Sequence, residues 1–299
     1  MDTLEELDLP GWVAQAPPDK RTFRQAVHII LAAISTSTAL RAKMVMKGGL
    51  LMAIRYDSAR FTKDADFSTR DKYAAGDAEA LIAELAQQLN VTNETLGYDT
   101  MCRIQRHEIR PAHPDATFPT LGLKIGYARR SQRSPLNRLL NLQSPTVVEI
   151  DYSYNEAVYD VEVLSLGEGE ELRAYSFLNL IAEKLRSLLQ QPIRERNRRQ
   201  DVYDLHLLFT RGRALDDAER ASLLALLRAS CRAKGIEPNF HSFADPQIRA
   251  MAAQGYEDLA PEVAGALPPF DEAYASVEAF YATLPWDTAD ASATPKQEG

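Results

Sequence analysis

Only two cysteines and five histidines occur in 299 residues, and neither set forms a pattern. Cys102 and Cys231 lack the spacing of a zinc site or a redox pair, and the histidines lack metal-ligand spacing. No Ser/His/Asp or Cys/His arrangement is legible, so those nucleophilic mechanisms are not indicated. No apolar run approaches the roughly 20 residues needed to cross a bilayer. The N-terminus, Met1-Asp2-Thr3-Leu4-Glu5-Glu6, is acidic where a secretory signal would be basic. A cytoplasmic protein with reduced thiols and no membrane association is expected. The net charge of -8 excludes nucleic-acid binding through bulk positive charge. There is no internal repeat.

What is present is ordinary globular material, 45% hydrophobic and 25% charged. Phe23, Val27, Ile30, Leu31 and Ile34 recur at helical spacing and predict a helix over 22–39. Met44-Val45-Met46 reads as a strand ending at Gly48-Gly49, with a helix starting at Leu50. Ala65 and Phe67 alternate with Asp64 and Asp66, as in a strand. A helix over 78–89 follows, with Asp77 as its N-cap. Strands are expected at 101–109, 120–127, 146–152 and 158–164, separated by proline-rich and arginine-rich turns. Beyond Gly167 helices take over: Ser176 caps 177–190, and more follow at 200–210, 217–234 and 270–284. The fold class is α+β, with a mixed α/β unit over 1–168, a helical unit over 169–285 and a disordered tail over 286–299. The first 18 residues read as a loosely held leader.

The chemistry gathers at Lys47-Gly48-Gly49 and Arg60-Phe61-Thr62-Lys63-Asp64-Ala65-Asp66-Phe67. Two glycines between a strand and a helix let the backbone approach a phosphate, and the helix start offers amide N–H groups. They match neither the P-loop nor the dinucleotide fingerprint, and a plain tight turn is the simpler use of such a pair. Asp64 and Asp66 share one strand face because side chains alternate with period two. Like charges so placed favour a divalent cation such as magnesium, with manganese as a substitute. Thr62 adds a hydroxyl on the same face. Asp151, with Glu149 as the alternative, is the candidate third metal ligand, on a strand where Val148, Ile150 and Tyr152 face the other way.

Lys184 falls on the apolar stripe Phe177, Ile181, Lys184, Leu188, where an ammonium must snorkel out or meet an anion. That anion is a triphosphate or a neighbouring carboxylate. Asp201 and Asp204 share a face of the next helix. Two arginine clusters, Arg129, Arg130, Arg133 and Arg138, then Arg194, Arg196, Arg198 and Arg199, are candidate RNA phosphate contacts. Neither has interleaved aromatics.

Taken in order, these segments resemble the AbiEii/MenT-like nucleotidyltransferase toxins. The opening motif is Lys47-Gly48-Gly49 with Arg60-Phe61-Thr62, Asp64 and Asp66-Phe67. The later one is Glu183-Lys184-Leu185, the arginines 194–199, and Asp201-Val202-Tyr203-Asp204-Leu205. The resemblance runs from Lys47 to Phe209. It implies a polymerase-β-like nucleotidyltransferase core, a mixed sheet with helices, followed by a helical C-terminal domain. It also implies a magnesium-dependent transfer of nucleoside monophosphate from an NTP to RNA, at the 3′ end of tRNA, which blocks translation. The protein would be the toxin of a toxin–antitoxin or phage-defence system, paired with a cognate antitoxin. Asp64 and Asp66 would bind metal, Gly48, Gly49 and Thr62 the triphosphate, and Lys184 and Asp201 would serve nucleotide binding and catalysis. Two departures stand out. Leu50 replaces a hydroxyl residue common in relatives, and Gln200 separates Arg199 from Asp201. A protein acceptor, or nucleotide binding without turnover, are the alternatives.

Overall fold

The computed structural model describes residues 4–111, 117–167 and 169–287. Two compact units are present: the residues up to Arg55 together with Thr62–Tyr175, and Tyr56–Phe61 together with the residues from Ser176 onward. The expected tail over 286–299 lies almost wholly outside the described residues. Trp286, its first residue, donates its indole N–H to the Tyr281 carbonyl at 2.9 Å.

The first unit contains α1 (Leu9–Ala14), α2 (Arg21–Thr36), α3 (Thr38–Lys43), β1 (Val45–Lys47), α4 (Gly48–Arg55), β2 (Asp64–Ser68) and α5 (Ala75–Thr95). It continues with β3 (Thr100–Arg110), β4 (Thr120–Arg129), α6 (Arg133–Leu140), β5 (Val147–Ser153), β6 (Val161–Gly167) and β7 (Glu170–Tyr175). Its strands form one seven-stranded mixed sheet in the order β3-β4-β5-β2-β1-β7-β6. The pairs β2–β5 and β1–β7 are parallel; the others are antiparallel. Helix α2 packs against β3, β4, β5, β7 and α5. Its Ile30, Leu31 and Ile34 are fully buried, each contributing about 1.5–3 kcal/mol. The sheet therefore has a greasy side under α2, and its opposite side is left to polar residues on β2 and β5.

Several boundaries differ from expectation for local reasons. The helix over 22–39 is two helices, because the Ser37 hydroxyl accepts from Leu40 N–H and starts α3. Asp77 lies in the first turn of α5, which begins at Ala75 without a side-chain cap; there it still suits the positive end of the helix dipole. The leader holds α1, capped by Asp8 accepting from Gly11 N–H at 2.8 Å, with Leu9 and Val13 buried. Residues Glu5–Leu7 hydrogen-bond to Ser165 and so cover part of the β6 edge. The arginine-rich turn contains α6. The expected break at 168/169 falls before β7, which joins the sheet between β1 and β6, so the units part after Tyr175.

The second unit contains α7 (Phe177–Leu189), α8 (Gln191–Arg194), α9 (Arg199–Arg211), α10 (Asp217–Arg232), α11 (Pro246–Ala253) and α12 (Phe270–Ala282). Ser176 caps α7 as expected, accepting from Asn179 N–H at 3.1 Å. Helix α7 packs on α9 and α10, and α12 on α9. Both cysteines are buried and unbridged, and burial pushes their thiol pKa values up. His28 meets the Tyr98 hydroxyl and His206 the Ser276 hydroxyl, so both serve the structure locally.

Candidate active site

In the first unit, strand β2 carries the acid pair as its alternation requires. Ala65 and Phe67 are buried, Asp66 is half-buried and Asp64 is exposed. On β5, Val148, Ile150 and Tyr152 are buried in the same rhythm. The register sets Asp64 beside Glu149 and Asp66 beside Asp151, while Lys47 of β1 lies opposite Asp66. Residues paired across neighbouring strands share a face, so four carboxylates and Lys47 line one side of the sheet.

Their partners divide them. Lys124 of β4 pairs with Glu149 at 3.1 Å, and Arg110 of β3 donates to Asp151 at 2.5 Å. Among the described residues, no group of three or more His, Cys, Asp or Glu side chains is placed to hold a metal ion. The expected triad of Asp64, Asp66 and Asp151 is therefore not assembled, because Asp151 is drawn to the Arg110 guanidinium. Asp64 and Asp66 together are a hard-oxygen pair that fits magnesium. That ion is commonly held by one or two protein carboxylates, with substrate phosphates and waters completing its shell.

The glycine pair meets this acid pair directly. Gly48 opens α4 with φ +76°, a left-handed conformation in which a side chain is strained. A Cβ there would stand 2.2 Å from Asp66 Oδ2, so the backbone runs against the carboxylate with no room for a methyl group. Helix α4 has its N–H-rich, positive end here, at Gly48 and Gly49. Thr62 sits just before the strand, where its hydroxyl accepts from Asp64 N–H at 3.4 Å and shapes the entry to β2. Gly48→Ala is expected to cost about 1–2 kcal/mol in backbone strain. It should also displace Asp66, so that catalytic rate falls further than the melting temperature suggests. Parallel kcat and Tm measurements check this.

In the second unit a buried ionic cluster holds α7 to α9. Lys184 Nζ lies 2.6 Å from Asp204 Oδ2 and 3.2 Å from Asp201 Oδ1. Arg60 grips both oxygens of Asp204 at 3.1 and 3.0 Å, and Arg198 Nε donates to Asp201 at 2.7 Å. Burial alone would raise the Asp204 carboxyl, but Lys184 and Arg60 outweigh it and hold its pKa at about 2. For Asp201, burial is again outweighed, by Arg198 and Lys184, and the pKa is lowered. Burial would likewise lower the Lys184 pKa, yet Asp204 and Asp201 raise it. The anion that Lys184 meets is thus a pair of carboxylates. Glu262 completes the cluster at 3.9 Å from Arg60 Nη1, so three cations face three carboxylates.

The arginine clusters are dispersed. Arg130 donates to the Asn93 carbonyl and to Glu94, and Arg199 pairs with Asp258. Arg133, Arg138 and Arg194 are exposed. Arg129 bonds the Thr22 hydroxyl and lines a cavity of about 420 Å³ with Arg138, Phe23 and Tyr127. The aromatics missing from the linear pattern are thus supplied by α2 and β4. The sequence assigns no role to Arg110 or Lys124, and Lys47 and Arg60 enter there only as parts of the motif. Arg60 lies inside the quoted motif, but nothing local names a partner 144 positions away.

Residues 29–276 match the family described as nucleotidyl transferase AbiEii toxin, type IV TA system. Among solved structures, a candidate nucleotidyltransferase from H. pylori is similar at 13% identity and TM-score 0.50, over 89% of this chain and 94% of that one. JHP933 from Helicobacter pylori is similar at 14% identity and TM-score 0.50, over 89% and 92%. At these identities the likeness concerns the fold. No curated protein matches the sequence.

Proposed function

From the chain's membership of the AbiEii nucleotidyltransferase toxin family, of type IV toxin–antitoxin systems, we propose a specific reaction and acceptor. The protein transfers a nucleoside monophosphate from an NTP to RNA, at the 3′ end of tRNA, and so blocks translation until a cognate antitoxin neutralises it. The observation that carries this reading is the meeting of Gly48 backbone and Asp66 carboxylate beside Asp64. Asp64 and Asp66 would hold magnesium, which neutralises triphosphate charge and polarises the phosphoryl oxygens when bound. Gly48 and Gly49 offer backbone N–H groups to phosphate oxygens, Thr62 orders the strand entry, and Lys47 adds positive charge on the same face. The acceptor hydroxyl attacks the α-phosphorus in line and loses its proton to water. The new P–O bond replaces the bond to the β-phosphate, and pyrophosphate leaves. Most of the acceleration comes from positioning and charge neutralisation. Lys184 and Asp201 are the second unit's assigned residues, on the strength of the family motif.

The acceptor is tested by incubating the protein with total RNA and each α-labelled NTP in turn. Label is expected in the tRNA fraction; label in protein favours a protein acceptor, and binding without label transfer favours a regulatory nucleotide binder. Because Arg129, Arg133, Arg138 and Arg194 are the proposed phosphate contacts, RNA affinity should fall with salt. A log–log slope of about −2 to −3 is expected if they neutralise about four single-strand phosphates. A flat response would remove these arginines from the RNA interface.

A further inference from the structure

One side chain crosses a whole strand to reach the acid face. Arg110 is on the edge strand β3, yet its Nη2 donates to Asp151 on β5, two strands in. The crossing passes over β4 at Gly122, which is in register with Asp151 on one side and Glu108 on the other. A Cβ at Gly122 would stand 2.9 Å from Arg110 Nη2 and 3.3 Å from its Nε. Glycine keeps that lane open. Asp151 in turn is the β5 neighbour of Asp66, so the guanidinium ends about one strand spacing, roughly 4.8 Å, from the acid pair's strand.

A surface ion pair needs no such lane, and one between exposed partners contributes little to stability. Arg110 and Asp151 have side chains 50% and 41% exposed, so the pair is open to a ligand on that face. The Arg110 Nε also lies 3.5 Å from Glu108 Oε1, so two carboxylates share the guanidinium, and its N–H donors not turned to either of them are of the kind that suits phosphate. A triphosphate bound through one divalent ion still carries negative charge that the acid pair cannot meet.

We infer that Arg110 binds a phosphate of the nucleoside triphosphate, and that Asp151 is its positioning residue, aiming the guanidinium across Gly122. This inference rests on the proposed transfer reaction and assigns Asp151 a task other than metal ligation.

Steady-state kinetics with the full chain test it. Arg110→Gln should raise the nucleotide KM roughly 10–100-fold, the worth of one hydrogen bond to a charged group, with kcat within about threefold. Arg110→Lys should restore part of the loss. Asp151→Asn and Gly122→Ala should shift KM in the same direction, and Asp151→Asn should add little to Arg110→Gln, as for members of one interacting unit. A second readout needs no turnover: titration with Mn2+, followed by electron paramagnetic resonance, should give near wild-type affinity for Asp151→Asn and a marked loss for Asp64→Asn. An unchanged KM in Arg110→Gln, or Mn2+ affinity lost equally in Asp151→Asn and Asp64→Asn, overturns the inference. If the transfer reading itself fails, wild-type protein transfers no label; if only this inference fails, wild type and Arg110→Gln transfer it alike.

Discussion

Asp66→Asn should lower nucleotidyl transfer by about three orders of magnitude, equivalent to about 4 kcal/mol of transition-state stabilisation, while the protein remains folded. The substitution keeps the shape of the side chain against Gly48 and removes only its charge. Asp64 is exposed, so Asp64→Ala should likewise silence transfer with little change in Tm. Both carboxylates lie on the polar side of β2, and Ala65 and Phe67 hold the strand in the core from the other side. Loss of activity with an intact melting curve would therefore report on chemistry and not on folding. Transfer within tenfold of wild type in either variant would remove the acid pair from the mechanism.

The second large effect concerns stability. Asp204→Ala leaves buried Lys184 with Asp201 alone and Arg60 with only the longer 3.9 Å contact to Glu262, and should cost about 3–5 kcal/mol. Its pH dependence has a definite sign. The folded carboxyl, at about 2, lies below the ordinary aspartate value of roughly 3.9, so its stabilisation is complete above about pH 4. It is lost as the pH falls through about 2. Denaturant melts of wild type and Asp204→Ala should therefore differ widely at pH 7 and converge toward pH 2. A constant difference across that range would contradict the charge-pair account. Lys184→Ala tests the neighbouring position. If it acts in the reaction as well as in the cluster, nucleotide KM or kcat must change at a temperature where the variant is fully folded.

How much of this was legible in the sequence depends on how local each cause is. The period-two alternation of β2 and β5 settles which carboxylates share a face, and both strands read correctly. The Ser176 cap and the apolar stripe of α7 read equally well, since both are set within a few turns of one helix. Strand β7 was hidden because Glu170, Glu171 and Arg173 give it little hydrophobic signal, and its place is fixed by pairing with β1 and β6. Helix α6 was hidden by Pro135 and its flanking arginines. The candidate site divides along the same line. Its acid pair and glycines lie within one helix and a loop of each other, whereas Arg60–Asp204 and Arg110–Asp151 join residues 144 and 41 positions apart. Asp151 shows the same division: strand alternation puts it on the face of the acid pair, but only the tertiary fold brings Arg110 to it.

If the polar face around Asp64 and Asp66 is a nucleotidyl-transfer centre, the two halves of the NTP must part there. The most direct measurement follows the two ends of one nucleotide, using α-labelled and γ-labelled NTP with tRNA and magnesium in parallel reactions. The account predicts that the α-label becomes covalently attached to the tRNA 3′ end and that the γ-label appears as pyrophosphate in equal amount. Release of γ-label as inorganic phosphate, with no α-label on RNA, would contradict it.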